Sequence, residues 1–106
     1  MKRELRNFSA REETDLVGKN RKLTVTGEVQ TFKGNEKVAL VEAVPQGINP
    51  KILLLDVKVE SYGAGTEVLG WQQVEFAKPI SEGQYSEVTI KTDDNSVTVK
   101  VTVVKT

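Results

Sequence analysis

The chain has neither histidine nor cysteine among its 106 residues. The first absence removes the side chain best suited to moving protons near neutral pH. The second removes the thiolate nucleophile and the disulfide staple, and together they remove the commonest zinc ligands. Triads that need an imidazole base are excluded with them. A serine–lysine pair stays formally available, but no serine sits at a strand-to-helix elbow. We therefore assign no catalytic residue, no metal ligand and no cofactor, and read the protein as a non-enzyme. No apolar run approaches the roughly 20 residues that span a bilayer; the longest strongly apolar block is Ile52 to Leu55. No basic start followed by an apolar stretch and a small-residue cleavage site is present. Lack of cysteine fits the cytoplasm and fits equally a mature exported domain whose leader has been removed.

A chain of this length is one domain with enough buried surface for a core without staples. Its 15 basic and 15 acidic residues cancel, but unevenly. All four arginines, Arg3, Arg6, Arg11 and Arg21, lie near the start, and the remainder uses lysine alone. Residues 1–22 read as a charged arm, mobile or in a short helix. Ser9 and Glu12 match a capping box, and Gly18 is placed to stop a helix over 10–17.

From Lys22 the apolar period becomes two, the mark of half-buried strands. Leu23, Val25 and Val29 alternate with Thr24, Thr26 and Glu28. Val38 to Val44 is apolar on both parities, as a central strand would be. Ile52 to Ser61 puts Leu53, Leu55, Val57 and Val59 on one face. In Val68 to Ile80 the apolar parity shifts between Leu69/Trp71 and Val74/Phe76, which predicts a bulge or break at Gln72–Gln73 with Trp71 and Phe76 in the core. Short strands follow at Val88–Ile90 and Val97–Val103. Turn-forming segments separate them every 8–15 residues, counted along the chain. Six or seven strands in this pattern predict an all-β, antiparallel β-sandwich over residues 23–106.

Gly83-Gln84-Tyr85, ahead of a β-run, resembles the phrase at a strand corner of immunoglobulin-like and prealbumin-like sandwiches. The resemblance implies that fold, with the Tyr85 hydroxyl bonded to backbone. Glu87 departs from it, standing where the immunoglobulin phrase has a buried cysteine or apolar residue.

The candidate contacts fall in two places. The loop Pro45–Pro50 is stiffened by two prolines and carries Ile48 and Asn49. Ile48 either faces a partner or folds back to plug the end of the sandwich, and plugging is the commoner behaviour of such loops. The arm offers Arg3, Arg6 and Arg11 to an acidic partner. The loops at 33–36, 62–67 and 93–96 are expected at one end, where Glu36, Glu67, Asp93 and Asp94 would gather; Asp and Asn are turn formers there, so no cation site is assigned. Outward carboxylates such as Asp56, Glu60 and Glu75 read as a solvated face. The expected function is an interaction or accessory module that binds another protein, or a carbohydrate, through loops or strand edges. The alternatives are an oligonucleotide-binding barrel and a small carboxylate-based enzyme. Few aromatics and an acidic body weigh against nucleic acid.

Overall fold

The computed structural model describes residues 3–14, 20–63 and 65–104. Seven strands run in chain order: β1 (Leu5–Thr14), β2 (Arg21–Lys33), β3 (Glu36–Glu42), β4 (Ile52–Ser61), β5 (Glu67–Pro79), β6 (Glu87–Lys91) and β7 (Ser96–Val103). No helix occurs among the described residues. The strands form one sheet in the order β3-β4-β6-β7-β1-β2-β5, curled nearly into a barrel.

The sheet is mixed, which corrects the purely antiparallel sandwich. β1 pairs with β7 in parallel, and β4 pairs with β6 in parallel; the other pairings are antiparallel. Parallel neighbours need a long crossover, and β5 supplies one between β4 and β6. Side-chain alternation is the same in both kinds of pairing, so it cannot report strand direction. β7 bonds β6 with its first residues and β1 through Val101–Val103. It thereby carries the sheet from one half of the curl to the other.

The stretch read as an arm contains a central strand. Leu5–Thr14 is flanked by β2 and β7. The helix expected over 10–17 is therefore a strand as far as Thr14, and residues 15–17 lie outside the described set. Glu12 does not cap a helix; it is buried and bonded to Arg21. The apolar signal of β1 is weak because its register shifts between Arg6 and Ser9. Asn7 sits there with a positive φ of 56°, a conformation that asparagine tolerates better than most residues. The irregularity sends Phe8 inward, where its ring lies over Gly27.

Leu23, Val25, Val29, Leu53, Leu55, Val88 and Ile90 are completely buried, with Ala10, Val38, Leu40 and Val74 beside them. Truncating one of the buried leucines to alanine typically costs about 2–5 kcal/mol. The predicted bulge at Gln72–Gln73 is absent. β5 keeps continuous register with β2 from Gly70 to Pro79, and the irregularity falls at Thr31–Lys33 instead. The parity of β5 shifts because Leu69 and Trp71 face outward and are exposed, Trp71 by 37%. Trp71 is thus not a core residue, whereas Phe76 packs against the core. β3, read as central, is an edge strand. Its outer edge is covered by side chains of β5: Gln72 bonds Val38, and Lys78 bonds Glu42.

Candidate functional site

The loop between β3 and β4 is ordered by Gln46. Its Nε2 donates to the carbonyls of Ala43 (2.6 Å) and Leu54 (3.0 Å), and its Oε1 accepts from Leu54 N–H (2.9 Å). The side-chain amide thus continues the β3–β4 ladder where the main chain leaves it. Asn49 adds a local turn, its Oδ1 accepting from Lys51 N–H (2.9 Å), a habit of asparagine in loops. Gly47 lies against Leu54. Between these pins, Val44 is 93% exposed and Ile48 is fully exposed. Ile48 does not fold back, so the plugging expectation is corrected. The Gln46 clamp orders the loop without drawing Ile48 into the core.

The second loop at this end, 81–84, joins the first at Gly83. Lys51 Nζ donates to Gly83 O (2.8 Å), while Gly83 N–H donates to the Glu12 carboxylate (3.2 Å). Gly83 has a φ of 68°, a backbone state that glycine adopts without strain. A surface hollow of about 580 Å³ lies between the loops, bounded by Gln46, Asn49, Lys51, Ser81, Gln84 and Tyr85. Its size is that of small-ligand sites. The Tyr85 hydroxyl accepts from Lys78 Nζ (3.2 Å), not from the backbone partner that the immunoglobulin-like phrase implies.

Behind these loops lies the most buried charge among the described residues. Glu12 is 1% exposed and accepts from Arg21 at 2.7 Å. Arg21 also reaches Glu82 at 3.8 Å. The pair was invisible in the sequence, because a glutamate among charged neighbours carries no burial signal.

The three candidate arginines are not gathered, and each already has a carboxylate partner. Arg3 bonds Glu36 with both terminal nitrogens (3.2 and 3.3 Å), donates to Gln30 O (2.7 Å) and covers the Phe32 ring at 4.4 Å. Arg6 bonds Glu28 (3.2 Å) and stacks on Trp71 at 3.7 Å. Arg11 lies 3.6 Å from Glu13. The Arg3 hydrogen bond holds the Glu36 carboxyl below the usual glutamate range, against burial, with help from Phe32 N–H. Glu28 is lowered in the same direction by Asn7 and then Arg6.

Of the turns expected together at the far end, 33–36 and 62–67 bond each other directly, and 93–96 is joined to them through Arg3. Gly34 N–H bonds Thr66 O, Tyr62 N–H bonds Asn35 O, and the Asn95 side chain bonds Arg3 O. Glu36 is occupied there by Arg3 and by Phe32 N–H. Among the described residues no three acidic side chains are grouped to hold a metal ion. No described helix is long and apolar enough to cross a membrane. Compared with known proteins, the chain matches no family, no curated protein and no solved structure.

Proposed function

We propose that the protein is a non-enzymatic interaction module that binds another protein through the β3–β4 loop, with Ile48 as the central contact. One observation carries the reading: Ile48 is fully exposed on a loop that Gln46 pins to β4. An apolar side chain held out on an ordered segment pays little conformational entropy on association. Val44 adds apolar area, and the hollow beside the loop gives a partner side chain a place to enter. Likeness to immunoglobulin-like or prealbumin-like domains belongs to the same proposal. The all-β chain supports it, and the two parallel pairings and the Lys78 partner of Tyr85 weigh against it.

The test places a photo-crosslinking residue at position 48 of the full chain, with position 73 on outward-facing β5 as control. The expected result is a discrete adduct in native extract from position 48 only, lost when competed by unlabelled wild type but not by Ile48→Asp. No adduct, or the same adducts from both positions, overturns the reading. Ile48→Ser is expected to change folding stability by less than about 0.5 kcal/mol, as for an ordinary surface site.

An oligonucleotide-binding barrel is the second reading, favoured by the outward Trp71 and the Arg6 beside it. Its electrostatic support is thin, since Arg3, Arg6 and Arg11 are each paired with glutamate. A gel shift at low salt with mixed single strands separates the two.

A further inference from the structure

We infer that the free edge of β4, residues 57–61, is a second docking site, taking an extended basic peptide segment as an added strand. It lies at the opposite end of β4 from the Ile48 loop and does not rest on that reading.

β4 outlasts its neighbour. It pairs with β3 as far as Ser61, but with β6 only through Asp56. Among the described residues, 57–61 therefore have a strand on one side alone. The register shows which main-chain groups face the open side. Ala43 N–H donates to Leu54 O, and Tyr62 N–H donates to Asn35 O, so the even-numbered residues of β4 turn toward β3. Val38 gives both its main-chain groups to Gln72 and neither to Val59, its register partner. Val59 thus turns its N–H and C=O away from β3, and Ser61, two residues on, does the same. Unpaired strand edges are templates for another chain, and strand addition draws its affinity from such groups.

The open side is a hollow of about 400 Å³, lined among others by Arg3, Phe32, Val57, Val59, Asp93 and Asp94. Val57 and Val59 form an apolar stripe at alternate positions, matching the two-residue period of a docked strand. Charge decides the occupant. Arg3 is neutralised by Glu36. Asp93 and Asp94 form no ion pair among the described residues, and Lys58 is the one lining cation left without a carboxylate. The balance is acidic, so a segment bearing lysine or arginine complements it.

The experiment uses the full chain, isotopically labelled, and an acetylated peptide of alternating lysine and valine, with alternating glutamate and valine as control. Expected are shifts and slowed exchange at the Val59 and Ser61 amides with the basic peptide only. The double variant Asp93→Asn/Asp94→Asn, both changes on an exposed turn, should weaken binding about tenfold, the reach of two surface charge contacts. Val59→Pro removes an N–H that the β3 ladder does not use, and should abolish binding. Unmoved Val59 and Ser61 amides at millimolar peptide overturn the inference. So do shifts confined to the Ile48 loop, equal binding of the acidic peptide, or unchanged affinity in the aspartate variant.

Discussion

The side-chain amide of Gln72 pairs with both main-chain groups of Val38, donating to its carbonyl at 2.8 Å and accepting from its N–H at 3.0 Å. Gln72 acts here as one peptide unit of a missing ladder, tying the two edge strands of the sheet together. Gln72→Ala leaves a part-buried N–H and C=O without partners. The expected loss is about 1–3 kcal/mol, read from the urea midpoint, with faster exchange at Val38. Gln72→Glu should not restore stability. A carboxylate still accepts from the N–H but cannot donate to the carbonyl.

Glu12 and Arg21 make a contrasting pair. Breaking a buried ion pair by removing one partner typically costs about 3–5 kcal/mol. Arg21 keeps some access to water, which places Glu12→Ala near the low end, about 3 kcal/mol. The variant also frees Gly83 N–H, so exchange should quicken in the 81–84 turn. Replacing both residues with Leu and Met should lose less than Glu12→Ala alone, since no buried charge is stranded. A double variant less stable than the single one would contradict this account.

Two of the shifted groups, Glu36 and Lys78, act on opposite limbs of the pH profile. Glu36 is held below its ordinary range, chiefly by Arg3. Its contribution is therefore present above the unfolded glutamate pKa, near about 4.3, and is lost as pH falls through the folded value. Lys78 is raised, first by the Glu42 hydrogen bond. Its contribution is present below the unfolded lysine pKa, near about 10.4, and fades as pH rises through the folded value. Arg3→Ala should flatten the acid limb of stability, and Glu42→Gln the alkaline limb, each leaving the other limb unchanged in denaturation series across pH.

Strand existence was legible from Leu23 onward because two-residue alternation is a direct imprint of a half-buried sheet. The β4 and β7 patterns matched their strands closely. The reading failed where another force outranked the pattern. β1 was hidden because the shift near Asn7 breaks its alternation and because a buried Glu12 looks like a surface charge. Trp71 looked like core until Arg6 proved to stack on it at the surface. β3 looked central because its apolar residues show on both parities; its edge is sealed by Gln72, which no pattern of polar residues announces. The Pro45–Pro50 loop was legible as a candidate contact, but only the Gln46 clamp fixes the outward course of Ile48.

The approach of Phe8 to Gly27 yields the sharpest local prediction. A Cβ built on Gly27 would fall among Phe8 ring atoms, closer than any real contact. Gly27 is opposite Val74 on β5, in the middle of a continuous ladder, so the backbone has little room to retreat. Gly27→Ala therefore forces the ring out of the core, at an expected loss of about 1–3 kcal/mol. Phe8→Leu alone should also destabilise, by removing ring contacts with the core. In the double variant the smaller side chain makes room for the new methyl, so the combined loss should fall short of the sum by at least about 1 kcal/mol. Chemical denaturation of the three variants closes the cycle. Additive losses would mean that the ring does not lie over Gly27 and that the irregularity at Asn7 serves some other contact.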